Sequence, residues 1–267
     1  MTAGARGTRA GREASQALLD AALELARVTG AEALKFFGGP LEVEAKADGS
    51  PVTIADRSAE RVARDWLERR FPDDGVLGEE LGGTRPDARR RWILDPIDGT
   101  QSFVRGVPLW GTLVAVLEGE RVLAGAACFP ATREWLAAAP GAGCWWNDTR
   151  ARVSATASLA RATVLATDAA PADPARRAGW RRLSESAARA RTWGDAYGYL
   201  LVATGRAEAM LDPVMNVWDA AWLDPVIAEA GGVLTDWSGR PGALGGNTVA
   251  TNAALADAVR RTLAEGS

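Results

Sequence analysis

The chain has 267 residues, 47% hydrophobic and 24% charged, with a formal charge of −3, two cysteines and no histidine. This is the composition of an ordinary soluble globular protein, and its balanced charge argues against a dedicated nucleic-acid or membrane binder. Without histidine there is no Ser-His-Asp triad, no Cys-His pair, no phosphohistidine chemistry and no imidazole zinc site, so carboxylates, hydroxyls and a bound cation must carry any chemistry.

Residues 1–12 are rich in Ala, Gly and Arg and read as a flexible tail, since they lack the apolar segment of a secretory signal. An α+β part is expected over 13–152. Leu18, Ala22, Leu25 and Val28 recur at helical spacing and predict a helix from Ser15 toward Phe37. A polar loop from Lys46 to Pro51 leads to Thr53-x-x-Asp56, a capping box for a second helix with Ala59, Val62, Ala63, Trp66 and Leu67 on its apolar face. Phe71-Pro72-Asp73-Asp74-Gly75 ends it. Val76-Leu77 and Trp92-Ile93-Leu94 are short strands that run directly into acids, Glu79-Glu80 and Asp95. Leu113 to Leu117, Val122 to Phe129 and a strand around Trp135 form a meander reaching Asn147.

Over 153–267 the pattern alternates. A strand Thr163 to Thr167, an Arg-rich helix around Trp180, a helix Asp195 to Thr204 and a strand Ala207 to Leu211 come first. A helix Trp218 to Ala230 stopped by Gly231-Gly232, strands Val233 to Trp237 and Thr248 to Thr251, and a final helix follow. The expected fold is a layered α/β (α+β) sandwich, an antiparallel-sheet N-terminal part plus a smaller α/β C-terminal part, with the site in the cleft between them. No apolar run approaches the ~18 residues of a membrane span. Cys128 and Cys144 fit no metal-binding spacing, and a reduced, cytoplasmic setting is expected.

Three segments place acids at the ends of regular elements: Gly78-Glu79-Glu80, Asp95-Pro96-Ile97-Asp98-Gly99-Thr100, and Trp218-Asp219-Ala220-Ala221. In the second, Pro96 fixes the backbone and Gly99 allows close approach, so the turn can aim two carboxylates and the Ile97 carbonyl at one point. Hard oxygen ligands of this kind suit magnesium or manganese. Taken singly, such acids are more often turn or helix-cap residues.

Together, and followed by Glu229-Ala-Gly-Gly232, these segments resemble the inositol monophosphatase-like family of metal-dependent, lithium-sensitive phosphomonoesterases. The resemblance covers nearly the whole chain and implies that fold, with a homodimeric assembly. It also implies a role for each site residue. Glu79, Asp95, the Ile97 carbonyl, Asp98 and Asp219 would hold about two or three magnesium ions, or manganese in their place. Gly99 and Thr100 would bind phosphate oxygens through their amides, while Glu79 and Thr100 orient the attacking water and take its proton. Asp48 or Asp56 would help place a third metal from a mobile loop, although a solvated loop and a helix cap account for these two equally well. Like charges ~5 Å apart at an effective dielectric near 20 repel by roughly 3 kcal/mol per pair, so the four carboxylates need divalent cations before they can receive a phosphate dianion.

Ser102 to Gly111, Arg191 to Tyr199 and Leu211-Asp212-Pro213 are most similar to the histidinol-phosphate phosphatase branch of that family. The substrate implied is L-histidinol phosphate, a small phosphate ester whose ammonium and imidazole call for Asp195 and Asp212, with Arg191 at the phosphate or the domain interface. Trp110, Tyr197 and Tyr199 are candidates for stacking on the imidazole, although such residues are more often core. Gln101 stands where this branch commonly has Lys, which leaves the outer phosphate rim less positive. An inositol-1-monophosphatase or broad-specificity inositol-type phosphatase is the alternative enzyme. A phosphatase-like module that binds RNA or a transcription partner is the alternative of another class. Its only support is the arginine clusters at 89–91, 176–177 and 181–182, which are more commonly solvated faces.

Overall fold

The computed structural model describes residues 9–45 and 51–264. The N-terminal half contains α1 (Arg9–Leu34), β1 (Val43–Ala45), β2 (Pro51–Thr53), α2 (Ile54–Arg70), β3 (Gly75–Gly78), β4 (Gly82–Thr84), β5 (Arg90–Asp98), α3 (Thr100–Phe103), β6 (Gly111–Glu118), β7 (Arg121–Phe129), β8 (Glu134–Ala139), β9 (Gly143–Trp146) and β10 (Thr149–Arg150). The C-terminal half contains β11 (Thr163–Ala166), α4 (Pro174–Ser186), β12 (Arg189–Arg191), α5 (Asp195–Ala203), β13 (Ala209–Asp212), α6 (Val217–Ala220), α7 (Leu223–Glu229), β14 (Gly232–Thr235), β15 (Thr248–Asn252) and α8 (Ala256–Ala264).

Strands β10-β9-β8-β7-β6-β5-β3-β4 form one eight-stranded sheet, antiparallel except for the β3–β5 pair. A second sheet, β12-β11-β13-β15-β14, is parallel at one end and antiparallel at the other. Alternating side chains send the two faces of the first sheet into different cores. Trp92, Leu94, Val114, Val116, Ala124 and Ala126 meet Leu19, Leu25, Trp66 and Leu67 from α1 and α2. Ile93, Leu113, Ala115 and Leu117 instead join Tyr199, Leu200, Leu223 and Ile227 of α5 and α7, with Leu165, Met210 and Ala250 of the second sheet behind them. Val164, Leu211 and Val249 cover the outer face of that second sheet with Trp180, Leu183, Val259 and Leu263 of α4 and α8. The result is five layers, helix-sheet-helix-sheet-helix, in which α5–α7 are shared by both sheets.

Several boundaries differ from the sequence reading. Helix α1 starts at Arg9, inside the segment read as a tail, and ends at Leu34, ahead of Gly38-Gly39-Pro40. The continuous helix expected from Trp218 to Ala230 is two, α6 and α7. Pro225 has no N–H to give a preceding carbonyl, and restarting the helix at Leu223 puts it in a first turn where none is needed. The Thr53–Asp56 capping box is present at the start of α2.

Candidate active site

Strand β5 carries the first acids because it bulges. Asp95 pairs with Leu113 but Asp98 with Gly111, so one extra residue is accommodated where Pro96 cannot donate to the ladder. The Thr112 hydroxyl ties the bulge down by donating to the Pro96 carbonyl at 2.7 Å, and the Ile97 N–H donates to Asp95 Oδ1 at 3.0 Å. Gly99 then turns left-handed (φ 81°) and α3 begins, with the Thr100 hydroxyl donating to the Ile97 carbonyl at 3.0 Å. A carbonyl has two lone pairs, so that bond leaves Ile97 able to hold a cation.

Glu79 follows β3 and is aligned by its own N–H on the Leu94 carbonyl, 3.2 Å away. The turn it opens is supported from below by Glu60 of α2, a fully buried carboxylate that accepts the N–H of Glu80 (2.8 Å) and of Leu81 (3.2 Å) and pairs with Arg64 (2.7 Å). Gly78 is part of this fit, since a Cβ there would lie 2.1 Å from Glu60 Oε1. Asp56, at the third position of α2, accepts the N–H and hydroxyl of Thr53, both at 2.7 Å, and is buried. Asp48 lies outside the described residues.

The C-terminal half supplies the remaining acids. Asp219 sits in a capping box at the start of α6, accepting the N–H of Asn216 at 2.7 Å, so the N-cap is Asn216 and Asp219 is the third residue. Asp195 opens α5 with φ 53°, and the next residue, Ala196, donates its N–H to Asp98 Oδ1 at 2.6 Å. Asp212 ends β13, buried, with the Tyr199 hydroxyl donating to its Oδ2 at 2.7 Å.

One carboxylate oxygen from each of Asp95, Asp98 and Asp219 falls within 4.8 Å of the other two. Burial, then Glu79, Asp98 and Asp219, holds the Asp95 carboxyl well above its ordinary value. Burial, then Asp195 and Asp219, does the same to Asp98 against the opposing Ala196 N–H. Burial, with Asp212 and Asp219, lifts Asp195 to about 7, while burial with Glu79 and Asp212, opposed by Asn216, takes Asp219 to about 6. Burial raises Asp212 and Asp56 as well. The charged neighbours acting on these acids are other acids. An oxygen-only donor set with such mutual repulsion is chemically suited to hard divalent cations.

The structure thus brings Glu79, Asp95, Ile97, Asp98, Asp219, Asp195 and Asp212 together from both halves, with Gly99 against Asp195 and Thr100 on the Ile97 carbonyl. Arg191 stands apart in its contacts, since it is exposed and donates to the Ala190 carbonyl. Trp110 is fully buried against Phe37 and Phe103, and Tyr199 is buried under Asp212, so neither ring has an open face. Tyr197 packs edge-on against Phe129 with its hydroxyl on Glu134. An exposed aromatic close in sequence to these acids is Trp193, two residues before Asp195 and 46% exposed. Arg105 donates to the carbonyl of Gln101 at 2.9 Å and to its side chain, bringing a guanidinium to position 101. Glu60 and Thr112, which hold the turn and the bulge, carry no local sequence signal that separates them from surface residues.

The model of the inositol monophosphatase family matches residues 14–266. Histidinol-phosphatase from Chlorobaculum parvum is 43% identical over 231 residues, covering 85% of this chain and 89% of that protein. Histidinol-phosphatase from Mycobacterium tuberculosis is 41% identical over 256 residues, covering 94% and 96%. Among solved structures, an inositol monophosphatase from Zymomonas mobilis superposes with a TM-score of 0.84 at 31% identity, covering 94% of this chain and 98% of that one.

Proposed function

The chain belongs to the inositol monophosphatase family of phosphoric monoester hydrolases, and from that premise we propose that it is a magnesium-dependent histidinol-phosphatase, releasing L-histidinol and phosphate. The observation that carries the substrate is the Asp195 carboxylate. It stands 3.1 Å from where a Cβ on Gly99 would be, near Asp212, and among the described residues accepts no hydrogen bond. Two carboxylates beyond those around the cation suit an alcohol that carries an ammonium and an imidazole, and they suit a neutral polyol less.

In this reading Glu79, Asp95, the Ile97 carbonyl, Asp98 and Asp219 hold the cations. When bound, magnesium neutralises charge on the phosphate and the departing oxygen and makes a water acidic. Thr100 spends its hydroxyl hydrogen on Ile97, which leaves its oxygen free to accept from the attacking water. Glu79 takes the proton, and the departing oxygen regains one from solvent to leave as the alcohol. The amides of Gly99 and Thr100 steady the phosphate oxygens, and Asp195 and Asp212 hold the alcohol so that its oxygen leaves in line. No covalent phosphoenzyme is required, and the absence of histidine excludes a phosphohistidine. A homodimer belongs to the same reading and is checked by sedimentation.

Several arginines of the clusters that could serve nucleic acid have partners within the chain. Arg89 pairs with Glu118 and Arg90 with Asp74, both near 2.5 Å. Arg176 donates to the Pro213 carbonyl and lies over Trp237, and Arg182 donates to the carbonyls of Thr262 and Leu263. Among the described residues no helix is long and apolar enough to cross a membrane.

The test is phosphate release with magnesium from L-histidinol phosphate beside myo-inositol 1-phosphate, fructose 1,6-bisphosphate and 3′-phosphoadenosine 5′-phosphate. A preference of about a hundredfold in kcat/KM for the first is expected, or roughly 2.7 kcal/mol of transition-state discrimination. A flat profile or a preference for the inositol ester would replace the substrate and keep the metal chemistry.

A further inference from the structure

Thr167 links the two carboxylates that the proposed function assigns to the alcohol half of the ester, and the inference drawn from it rests on that assignment. It is the residue after β11. The β11–β13 register pairs Ala166 with Leu211, so one step further Thr167 comes level with Asp212 at the ends of two parallel strands. Its hydroxyl and its backbone N–H both act on the Asp212 carboxylate, favouring the charged form that burial disfavours. The same hydroxyl oxygen accepts the backbone N–H of Asp195 at 2.8 Å. A hydroxyl has one hydrogen and two lone pairs, so a single Thr167 side chain can donate to Asp212 while it accepts from Asp195. Valine has the same shape and can do neither.

Two features show that this contact is built into the chain. Asp195 takes a left-handed conformation, uncommon for a residue with a Cβ, and it does so at the residue whose N–H meets Thr167. Gly194 lies so close that a Cβ there would be 2.4 Å from the Thr167 Cα and 2.7 Å from its Oγ1. A side chain at 194 would therefore push Asp195 away from Thr167, and with it away from Asp212.

The structure assigns to Thr167 the part of a specificity-determining positioning residue, one that fixes Asp195 relative to Asp212 and thereby selects the alcohol of the phosphate ester. It acts through these two acids, so its removal should be felt in the choice of ester more than in the hydrolytic step common to all esters.

The experiment compares full-length wild type with Thr167→Val, Thr167→Ala and Thr167→Ser, in magnesium, on three esters. L-Histidinol phosphate and myo-inositol 1-phosphate have alcohols rich in polar groups, whereas p-nitrophenyl phosphate has a leaving group without a hydrogen-bond donor. The readout is kcat/KM for the better of the first two divided by kcat/KM for the third. Thr167→Val is expected to lower this ratio about tenfold, mostly through KM, the scale of one lost hydrogen bond to a charged group. Thr167→Ser restores it, and Thr167→Ala, which adds no bulk, repeats the loss if the valine variant does not fold. A ratio that stays at the wild-type value, because both kinds of ester slow together or neither does, overturns the assignment. If wild type prefers myo-inositol 1-phosphate, the proposed substrate fails while the same ratio still decides the part played by Thr167.

Discussion

The backbone N–H of Ala196 donates to Oδ1 of Asp98 at 2.6 Å, joining the start of α5 to the β5 bulge across 98 residues of sequence. Through this contact a neutral backbone donor, placed by the α5 layer that both sheets share, brings the acids of the two halves together. The repulsion among those acids is therefore opposed by the fold until cations arrive.

Asp95→Asn tests that balance. Turnover is expected to fall by more than about a hundredfold, as for loss of groups that hold a metal. In chelator the variant melts higher than wild type, since a buried acid disfavoured by its acidic neighbours is gone. Melting curves with and without magnesium check both the gain and a reduced response to the ion.

Glu60 is expected to matter although it lies beneath the site. Glu60→Ala leaves Arg64 without its partner and the N–H groups of Glu80 and Leu81 without an acceptor, at a cost of about 3–5 kcal/mol in stability. Gly78→Ala, whose new methyl would overlap Glu60, is expected to keep the fold while lowering activity about 10–100-fold through a displaced Glu79. Denaturant melts and phosphate release separate the two effects.

Tyr199→Phe removes the hydroxyl that donates to Asp212 and also contacts Thr248. A loss of about 1–3 kcal/mol is expected, because a buried carboxylate is left short of a donor. Measured kinetics should show a higher KM for the preferred ester with a smaller change in kcat.

Acid stability should report Asp236, in the loop after β14. Burial pushes its carboxyl up, but the hydroxyl of Ser238 and the N–H and guanidinium of Arg240 outweigh it, and the group settles at about 2. A folded value below the unfolded one means that the stabilisation is present above the unfolded value, near 3.8, and is lost as pH falls toward about 2. The advantage of wild type over Asp236→Asn, on the order of 2 kcal/mol at neutral pH, should shrink across that window in urea melts.

What could be read in the sequence was local. The Thr53–Asp56 cap and the Asp95 to Thr100 turn depend on neighbours within five residues, so their residue types announce them. The meander was legible because β6 and β7 are short, nearly continuous apolar runs on either side of the Glu118-Gly119-Glu120 turn. The β1–β2 ribbon, β4 and β12 were missed, being strands of three residues each, too short for any alternation to show and, apart from β2, mostly exposed. Glu60 reads as any acid on an amphipathic helix, and only the packing of α2 against the 79–81 turn gives it a role. Trp110 and Tyr199 were candidates for an open stacking face, and the depth of the core removed them.

The shared α5–α7 layer has a consequence for synthesis. The face of the first sheet formed by Ile93, Leu113, Ala115 and Leu117 is covered by residues from 196 to 230. On the ribosome, that face is finished well before its cover is translated. A nascent chain that has emerged as far as residue 150 would present an apolar sheet surface and part of the acid cluster, a species in need of a chaperone. Emergence of α6 and α7 ends that exposure, and α6 delivers Asp219 to the other acids.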